Sequence, residues 1–82
     1  MILKHIVPSE KAATMVDTEN KLQFIVDMRA NKKEIAKEVE HVFETSVRSV
    51  RTLITFKGEK KAIIELGEDD KAKEIATSLG IL

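Results

Sequence analysis

The sequence predicts a small α+β domain in which helices pack on one antiparallel sheet. The chain has 82 residues, enough for a single modest hydrophobic core and too few for two. Hydrophobic residues make up 43% of the chain, so we expect it to fold and not to be disordered. Segments in which hydrophobic residues alternate are separated by segments in which they recur at helical spacing. We therefore expect one domain spanning residues 1–82, built from both strands and helices.

The chain is predicted to begin with a short strand and a helix. The segment from Ile2 to Ile6 could add a short strand at the sheet edge. Ser9 is of the residue type that accepts hydrogen bonds from first-turn amides, which predicts a helix over residues 9–17. The residues from Asp17 to Asn20 are turn formers, and we expect the helix to end there.

A strand is predicted next, over residues 21–28. Its hydrophobic residues alternate with polar ones, so one face should be buried. Ile25 interrupts the polar side, and we therefore expect the second face to be partly covered. The residues predicted on the buried face are Leu22, Phe24, Val26 and Met28.

The longest predicted helix covers residues 32–44. Asn31 and Glu34 have the spacing of an N-terminal capping box. Glu38 and Glu40 lie off the apolar side of this helix, so we expect solvent around them. The apolar stripe that should face the core consists of Ile35, Val39, Val42 and Phe43.

Two strands are predicted over residues 47–56 and 60–66, joined by a tight turn in which Gly58 takes a positive φ. Alternation in the first of these strands places Phe56 on the buried face, and places Arg48 on the same face near its end. Acidic residues then precede a last helix over 69–79, where the helix dipole favours negative charge.

The order of elements also predicts the topology. A right-handed crossover from the strand over 21–28 can leave a gap that a later strand fills. We expect the strand over 60–66 to fill this gap, at the centre of a three-stranded sheet. The long helix should cover one face of that sheet, and the N-terminal segment would add a fourth strand at its edge.

The sequence offers little for catalysis or for binding a small ligand. Because cysteine is absent, disulfides, thiol chemistry and cysteine-containing zinc sites are excluded. The two histidines, His5 and His41, have no partners at the spacing of a catalytic triad or a metal site. The three glycines lie at predicted element ends and form no phosphate loop. We predict no enzyme, no cofactor, no metal and no small-molecule substrate.

Nothing in the chain predicts a membrane segment. No apolar run approaches the roughly 20 residues that span a bilayer. The segment before Pro8 is too short for a signal-peptide apolar region. We therefore expect a soluble, intracellular protein without membrane insertion.

The charges are balanced in number but uneven along the chain. Fourteen basic and fourteen acidic residues give a formal net charge of zero. Eight of the cations lie within residues 29–33 and 48–61, where Glu59 is the only acid. Because Phe24 and Phe56 both fall on predicted buried faces, we do not expect aromatic stacking on RNA bases. A cationic side without aromatic platforms should contact phosphates and RNA shape.

The predicted RNA contacts come from the start of the long helix, from the strand after it and from the hairpin. The alternative is that these cations only keep the hairpin soluble, as charged runs usually do. The scarcity of acids among them favours RNA binding. The predicted contact residues are Arg29, Asn31, Lys32, Lys33, Arg48, Arg51, Thr52, Lys57, Lys60 and Lys61.

The block from Asn20 to Ile35 is similar to the pattern NKLxFxVDxxANKxEI, and Ser9 to Ala12 match the motif SEKA. In these blocks the sequence resembles one family of large-subunit ribosomal proteins, the L-twenty-three family. The segments from Val50 to Leu53 and from Lys60 to Leu66 are similar to its last two strands. The turn at Gly58 is short, as in archaeal members, which lack the loop that bacterial members extend into the tunnel.

The resemblance implies a place in the ribosome. It implies binding to domain III of large-subunit ribosomal RNA and contact with ribosomal protein L-twenty-nine at the exit of the nascent-chain tunnel. It also implies docking of the signal recognition particle, chaperones and the translocation channel, with Ser9, Glu10 and Lys11 as the docking residues. We expect this segment to lie far from the basic side.

Two positions depart from the family, and two other functions stay open. Arg51 often corresponds to Asn in the family, and it could reach a phosphate instead. Glu65 replaces a basic residue or Thr, which argues against an RNA contact there. A free-standing RNA-binding regulator would share the basic side but have no ribosomal partners. A protein–protein adaptor would use the acidic helix faces and bind no RNA.

Overall fold

The structure is a computed structural model that describes residues 1–81. The predicted domain also includes Leu82, which lies outside the described residues. The helices are α1 (Glu10–Glu19), α2 (Lys32–Phe43) and α3 (Lys71–Ser78). The strands are β1 (Leu3–Ile6), β2 (Lys21–Val26), β3 (Val47–Ile54) and β4 (Lys60–Leu66).

The four strands form one antiparallel sheet in the order β1-β2-β4-β3. β4 therefore lies between β2 and β3, which confirms the predicted central strand. The N-terminal segment does form a strand, and β1 pairs with β2 at the edge. In the two central pairings, Ile25 lies opposite Lys61, and Lys61 lies opposite Leu53. The predicted α+β class is confirmed.

The hydrophobic core lies between one face of this sheet and the helices. Ile35 and Val39 of α2 are fully buried there, as are Ala72 and Ala76 of α3. The rings of Phe24 and Phe43 are 6.0 Å apart and tilted, which joins the end of α2 to the sheet. We call this side of the sheet the helix face. Its buried strand residues are Leu22, Phe24, Val26, Ala62, Ile64 and Leu66.

Each edge strand contains one irregularity in its register. In β1 the register shifts between Leu3 and His5, and in β3 it shifts between Val47 and Ser49. A bulge re-aims one side chain, and the residues at these two positions are Lys4 and Arg48. The prediction that Arg48 shares the face of Val50 is wrong for this reason. Arg48 instead lies 3.9 Å from Glu65, whose side chain belongs to the opposite face.

Three residues predicted in the core are exposed. β2 ends at Val26 and β3 ends at Ile54, so Met28 and Phe56 lie beyond the alternation that was used to place them. Val42 is also largely exposed, because the buried stripe of α2 narrows to Ile35 and Val39. The predictions for these three side chains were wrong, whereas the elements themselves were predicted within a few residues.

The first helix continues past its predicted end. Ser9 caps α1 as predicted, because its Oγ accepts a hydrogen bond from the amide of Ala12 at 3.1 Å. The segment from Asp17 to Glu19 is helical, however, and only Asn20 leaves the helix, with a φ of +56°. The predicted termination was wrong for Asp17 to Glu19 and correct for Asn20.

The side chain of Asn20 connects three elements. Its amide nitrogen donates to the carbonyls of Leu66 at 3.2 Å and Glu68 at 2.7 Å, which hold the end of β4. Its carbonyl oxygen accepts from the amide of Ala72 at 2.9 Å, in the first turn of α3. Asp70, at the N-cap position of α3, makes no capping hydrogen bond itself. Asn20 therefore ends one helix and caps another.

Two glutamates of α2 also have structural partners. The Glu38 carboxylate accepts hydrogen bonds from the amides of Ile2 at 3.4 Å and Leu3 at 2.8 Å. Glu40 accepts one from the amide of Val47 at 3.3 Å. The prediction that Glu38 is simply solvated was wrong, since it joins α2 to the start of β1, whereas Glu40 is exposed as predicted.

Candidate nucleic-acid interface

Part of the predicted basic side lies at one end of the sheet. The Nζ of Lys60 donates a hydrogen bond to the carbonyl of Ala30 at 2.6 Å, so the β3–β4 turn lies against the start of α2. This contact brings two sequence-distant groups of cations together. We call this region the hairpin end; its members are Arg29, Asn31, Lys32, Lys33, Lys57 and Lys60.

Two of the acids at the hairpin end are engaged by backbone amides. Asp27 accepts a hydrogen bond from the amide of Arg29 at 2.8 Å, which holds the pKa of this carboxyl below its usual value. Glu34 accepts from the amide of Asn31 at 3.0 Å in the capping box that the sequence predicted. The side chain of Arg29 is 93% exposed. Five cations of this end, counted from Arg29 to Lys60, outnumber the three acids Asp27, Glu34 and Glu59, so its net charge is positive.

Asn31 has a structural role that limits its contact with RNA. Its side-chain oxygen accepts a hydrogen bond from the amide of Glu34 at 2.8 Å. The oxygen thereby satisfies one of the free donors at the start of α2. Only the amide NH₂ of Asn31 remains to donate to a phosphate or a base.

Arg51 and Lys61 lie on the face of the sheet opposite the helix face, which we call the open face. Here Arg51 lies opposite Ile63, and Lys61 lies opposite both Ile25 and Leu53. A groove of about 310 Å³ runs between this face and α1. Its lining residues are Lys11, Met15, Gln23, Arg51, Leu53, Lys61 and Ile63.

This groove corrects one expectation about the predicted docking segment. Ser9, Glu10 and Lys11 are all exposed at the start of α1. Lys11, however, lines the same groove as Arg51 and Lys61. The expectation that the whole segment lies far from the basic side is therefore wrong for Lys11.

Two other predicted contact residues lie apart from the hairpin end. Arg48 is at the opposite end of β3, roughly 20 Å from the turn at about 3.3 Å per residue. It lines a polar depression together with Asp17, Glu19, Glu65, Asp69 and Asp70, so its charge is balanced locally. Thr52 is half-buried opposite Ala62, on the helix face. The structure does not bring these two residues to the cationic region.

Phe56 was missed as a surface residue. Its side chain is 99% exposed at the tip of the hairpin, next to Lys57. The signal that could have placed it was available, because Gly58 requires a turn and residues of a turn do not continue the alternation of a strand.

Within residues 1–81, no group of histidine and acidic side chains has the arrangement of a metal site. No helix among these residues is long and apolar enough to span a membrane. What the described residues do present is a cationic end, an open sheet face and an exposed aromatic side chain.

Comparison with known proteins shows the family of this chain. The family model described as Ribosomal protein L23 matches residues 1–79. The chain belongs to this family. It is 46% identical over 80 residues to the large ribosomal subunit protein uL23 of Haloarcula marismortui, covering 98% of this chain and 94% of the relative.

Two further relatives are similar over nearly their full length. The large ribosomal subunit protein uL23 of Pyrobaculum aerophilum is 44% identical over 81 residues, covering 99% of this chain and 100% of the relative. The protein of the same name from Natronomonas pharaonis is also 44% identical over 81 residues, covering 99% of both chains. The family resemblance read from the sequence is confirmed.

Family membership establishes the broad role of this L23 protein. Members are structural proteins of the large ribosomal subunit, and they belong to no enzyme class. The large subunit is cytoplasmic, which confirms the predicted localisation.

Proposed function

We propose that this L23 protein binds domain III of large-subunit ribosomal RNA through its hairpin end and open face. The contact residues would be Arg29, Asn31, Lys32, Lys33, Arg51, Lys57, Lys60 and Lys61. Phosphate contacts supply most of the affinity and fix the orientation of a protein on RNA. Arg48 and Thr52 are left out of this interface, because one lies among acids and the other faces the helices.

The observation that carries the proposal is the hydrogen bond between Lys60 and Ala30. It holds the β3–β4 turn against the start of α2, so that cations about 30 residues apart in sequence form one surface. Since the chain has no net charge, such a concentration at one end leaves the acids at the other. The molecule is thus polarised, with a cationic end suited to RNA and an acidic end suited to solvent or to other partners.

Sedimentation of a cell lysate tests this role. The tagged protein should migrate with the large subunit in a sucrose gradient and be absent from the top fractions. A free-standing regulator or a protein–protein adaptor would instead remain near the top. Free migration of a folded, full-length protein would contradict the proposal.

We also propose that the bound protein lies at the tunnel exit beside ribosomal protein L-twenty-nine. There the start of α1 would help form the docking site for the signal recognition particle, chaperones and the translocation channel. Two observations support Glu10 as a docking residue. Its side chain is exposed in the first turn of α1, and the neighbouring Ser9 is already engaged in capping. A structural role alone would make Glu10 worth only about 0.3–1 kcal/mol of helix stability.

Charge reversal at Glu10 separates docking from helix stabilisation. Glu10→Lys should weaken binding of the signal recognition particle to large subunits by tenfold or more, because it replaces an attraction with a like-charge clash. Glu74 offers a matched control, since it is also an exposed first-turn glutamate, in α3. The measurement is affinity at fixed salt with equal incorporation of each variant. Equal affinity for Glu10→Lys and Glu74→Lys subunits would rule out the docking role.

A further inference from the structure

Phe56 is presented to solvent by a well-bonded turn. The amide of Gly58 donates to the carbonyl of Thr55 at 2.9 Å, and the amide of Thr55 donates to the carbonyl of Glu59 at 2.8 Å. The Thr55 hydroxyl also accepts from the amide of Glu59 at 3.2 Å. These bonds fix the backbone around Phe56 while leaving its ring 99% exposed. A phenylalanine exposed to this extent contributes almost nothing to the core, so its ring is available to a partner.

A cleft of about 320 Å³ opens beside this ring on the open face. Its floor is the cross-strand row formed by His5, Ile25 and Lys61, which lie opposite one another in β1, β2 and β4. Val7 and Pro8 line it on the side of the segment that follows β1. We call it the Phe56 cleft; its lining residues are His5, Val7, Pro8, Ile25, Thr55, Phe56, Lys57, Glu59 and Lys61.

The charges around the Phe56 cleft favour an anionic occupant. Lys57 and Lys61 lie at the cleft, and Glu59 is the one acid among its lining residues. Ile25 is buried at the floor, and the half-buried Val7 and exposed Pro8 add apolar surface that suits a flat hydrophobic group. A group that is flat and apolar and also carries a negative charge is a nucleobase with its phosphate.

We propose that an unpaired base of large-subunit ribosomal RNA stacks on Phe56 in this cleft, with Lys57 and Lys61 at the adjoining phosphates. The inference rests on the RNA-binding role proposed above and adds a base contact to a surface otherwise made of phosphate contacts. It also reverses the sequence-based expectation that stacking is absent. The stacking contact would be continuous with the phosphate contacts, because Lys61 lines both the Phe56 cleft and the neighbouring groove that contains Arg51.

A side chain from a neighbouring protein is the competing occupant. An apolar protein contact would require only hydrophobic surface at position 56, and leucine would supply it. Stacking on a base requires an aromatic face, which leucine lacks and tryptophan has. The two occupants are therefore separated by the response to Phe56→Leu and Phe56→Trp.

The test measures binding of the full-length protein to an in vitro transcript of domain III of the large-subunit ribosomal RNA. Phe56→Ala and Phe56→Leu should each weaken binding roughly 5- to 100-fold, the loss of one base–aromatic stack, with an unchanged salt slope. Phe56→Trp should bind at least as tightly as the wild-type protein. Ile54→Ala is the matched control, since Ile54 is an exposed apolar residue of the same hairpin outside the cleft, and it should have no effect.

Undiminished binding by Phe56→Ala, or full affinity for Phe56→Leu, would overturn the stacking contact while leaving RNA binding intact. Failure of the wild-type protein to bind the transcript would instead overturn the proposed function, and the stacking contact with it. Photo-crosslinking gives an independent readout. With p-benzoylphenylalanine at position 56 of assembled subunits, a crosslink to ribosomal RNA supports the proposal, and a crosslink to another protein contradicts it.

Discussion

Two helices of this protein end in a residue with a left-handed backbone conformation, and the two residues differ in what offsets its cost. Asn20 and Glu44 end α1 and α2 with φ values of +56° and +50°. The left-handed region costs an ordinary L-residue roughly 1–2 kcal/mol, and asparagine visits it more readily than glutamate. At Asn20 three side-chain hydrogen bonds offset this cost. At Glu44 the side chain is exposed, so the strain there has little to offset it.

Substituting glycine at these two positions should shift stability in opposite directions. Glycine relieves the backbone strain in both cases, but Asn20→Gly removes three hydrogen bonds, including the cap of α3. We expect Asn20→Gly to lower the free energy of unfolding by about 1–2 kcal/mol. Glu44→Gly should raise the free energy of unfolding by up to about 1 kcal/mol. Part of this gain is offset, because glycine also raises the conformational entropy of the unfolded chain. Urea unfolding of both variants measures the two shifts. Shifts of the same sign would contradict this account.

At the scale of elements, β1 depends on a contact that no local pattern encodes. The strand has only four residues and pairs on one side. Glu38 of α2 holds its beginning through the amides of Ile2 and Leu3, and the amide of Asp27 donates to the carbonyl of Ile2 at 2.9 Å. A short edge strand is therefore anchored to the longest helix by a single carboxylate.

Removing that carboxylate should loosen β1 selectively. Glu38→Ala leaves two backbone donors without their acceptor, and we expect a loss of about 2 kcal/mol of stability, since hydrogen bonds to charged groups are worth about 1.5–3 kcal/mol. Glu38→Gln retains one acceptor oxygen and should lose less. Hydrogen exchange at the Leu3 amide should speed up in Glu38→Ala, while exchange at the central Ile64 amide follows only the global change. If the Leu3 amide of Glu38→Ala exchanged as slowly as that of the wild-type protein, the contact with Glu38 would not be needed to hold β1.

The elements were predictable where the pattern is local. Ser9, Asn31 and Gly58 signalled their caps and turn correctly, because each acts within four residues of itself. The errors came from residues whose side-chain position is set by a contact with a residue distant in sequence. The bulge that turns Arg48 toward Glu65 and the carboxylate bonds of Glu38 both depend on residues far along the chain. Single-sequence periodicity holds no information on such contacts.

At the scale of the whole molecule, charge is separated although the net charge is zero. The hairpin end is cationic, whereas the opposite end gathers Asp17, Glu19, Glu65, Asp69 and Asp70 around Arg48. The sequence predicted a set of RNA-contact residues but could not tell which of them lie together in the fold. Lys60 and Ala30 are distant in sequence and are brought into contact by the fold. Lys11 and Arg51 are likewise distant in sequence, and they line the same groove. Phe56 was misplaced because the strand was extended two residues too far.

Salt should reveal which cations contact RNA. Each phosphate contact adds roughly 0.7–0.9 to the slope of log affinity against log salt. Lys57→Ala with Lys61→Ala should therefore reduce the slope by about 1.5 units and weaken binding. Arg48→Ala is the control, and it should leave the slope unchanged. Lys60 is unsuitable for this test because its side chain holds the turn against α2. A slope that falls with Arg48→Ala and not with the lysine pair would place RNA at the other end of the sheet.

The bulges at Lys4 and Arg48 have a consequence for the protein before it joins a ribosome. A sheet with two free edges offers two rows of unpaired amides and carbonyls to a second copy of the same chain. At both edges a break in register coincides with an exposed cation, so an incoming strand would meet a distorted ladder and would have to bury a positive charge. Edge-to-edge association is thereby disfavoured at each side. The two bulges therefore act against aggregation through the sheet edges in chains that have not yet bound ribosomal RNA.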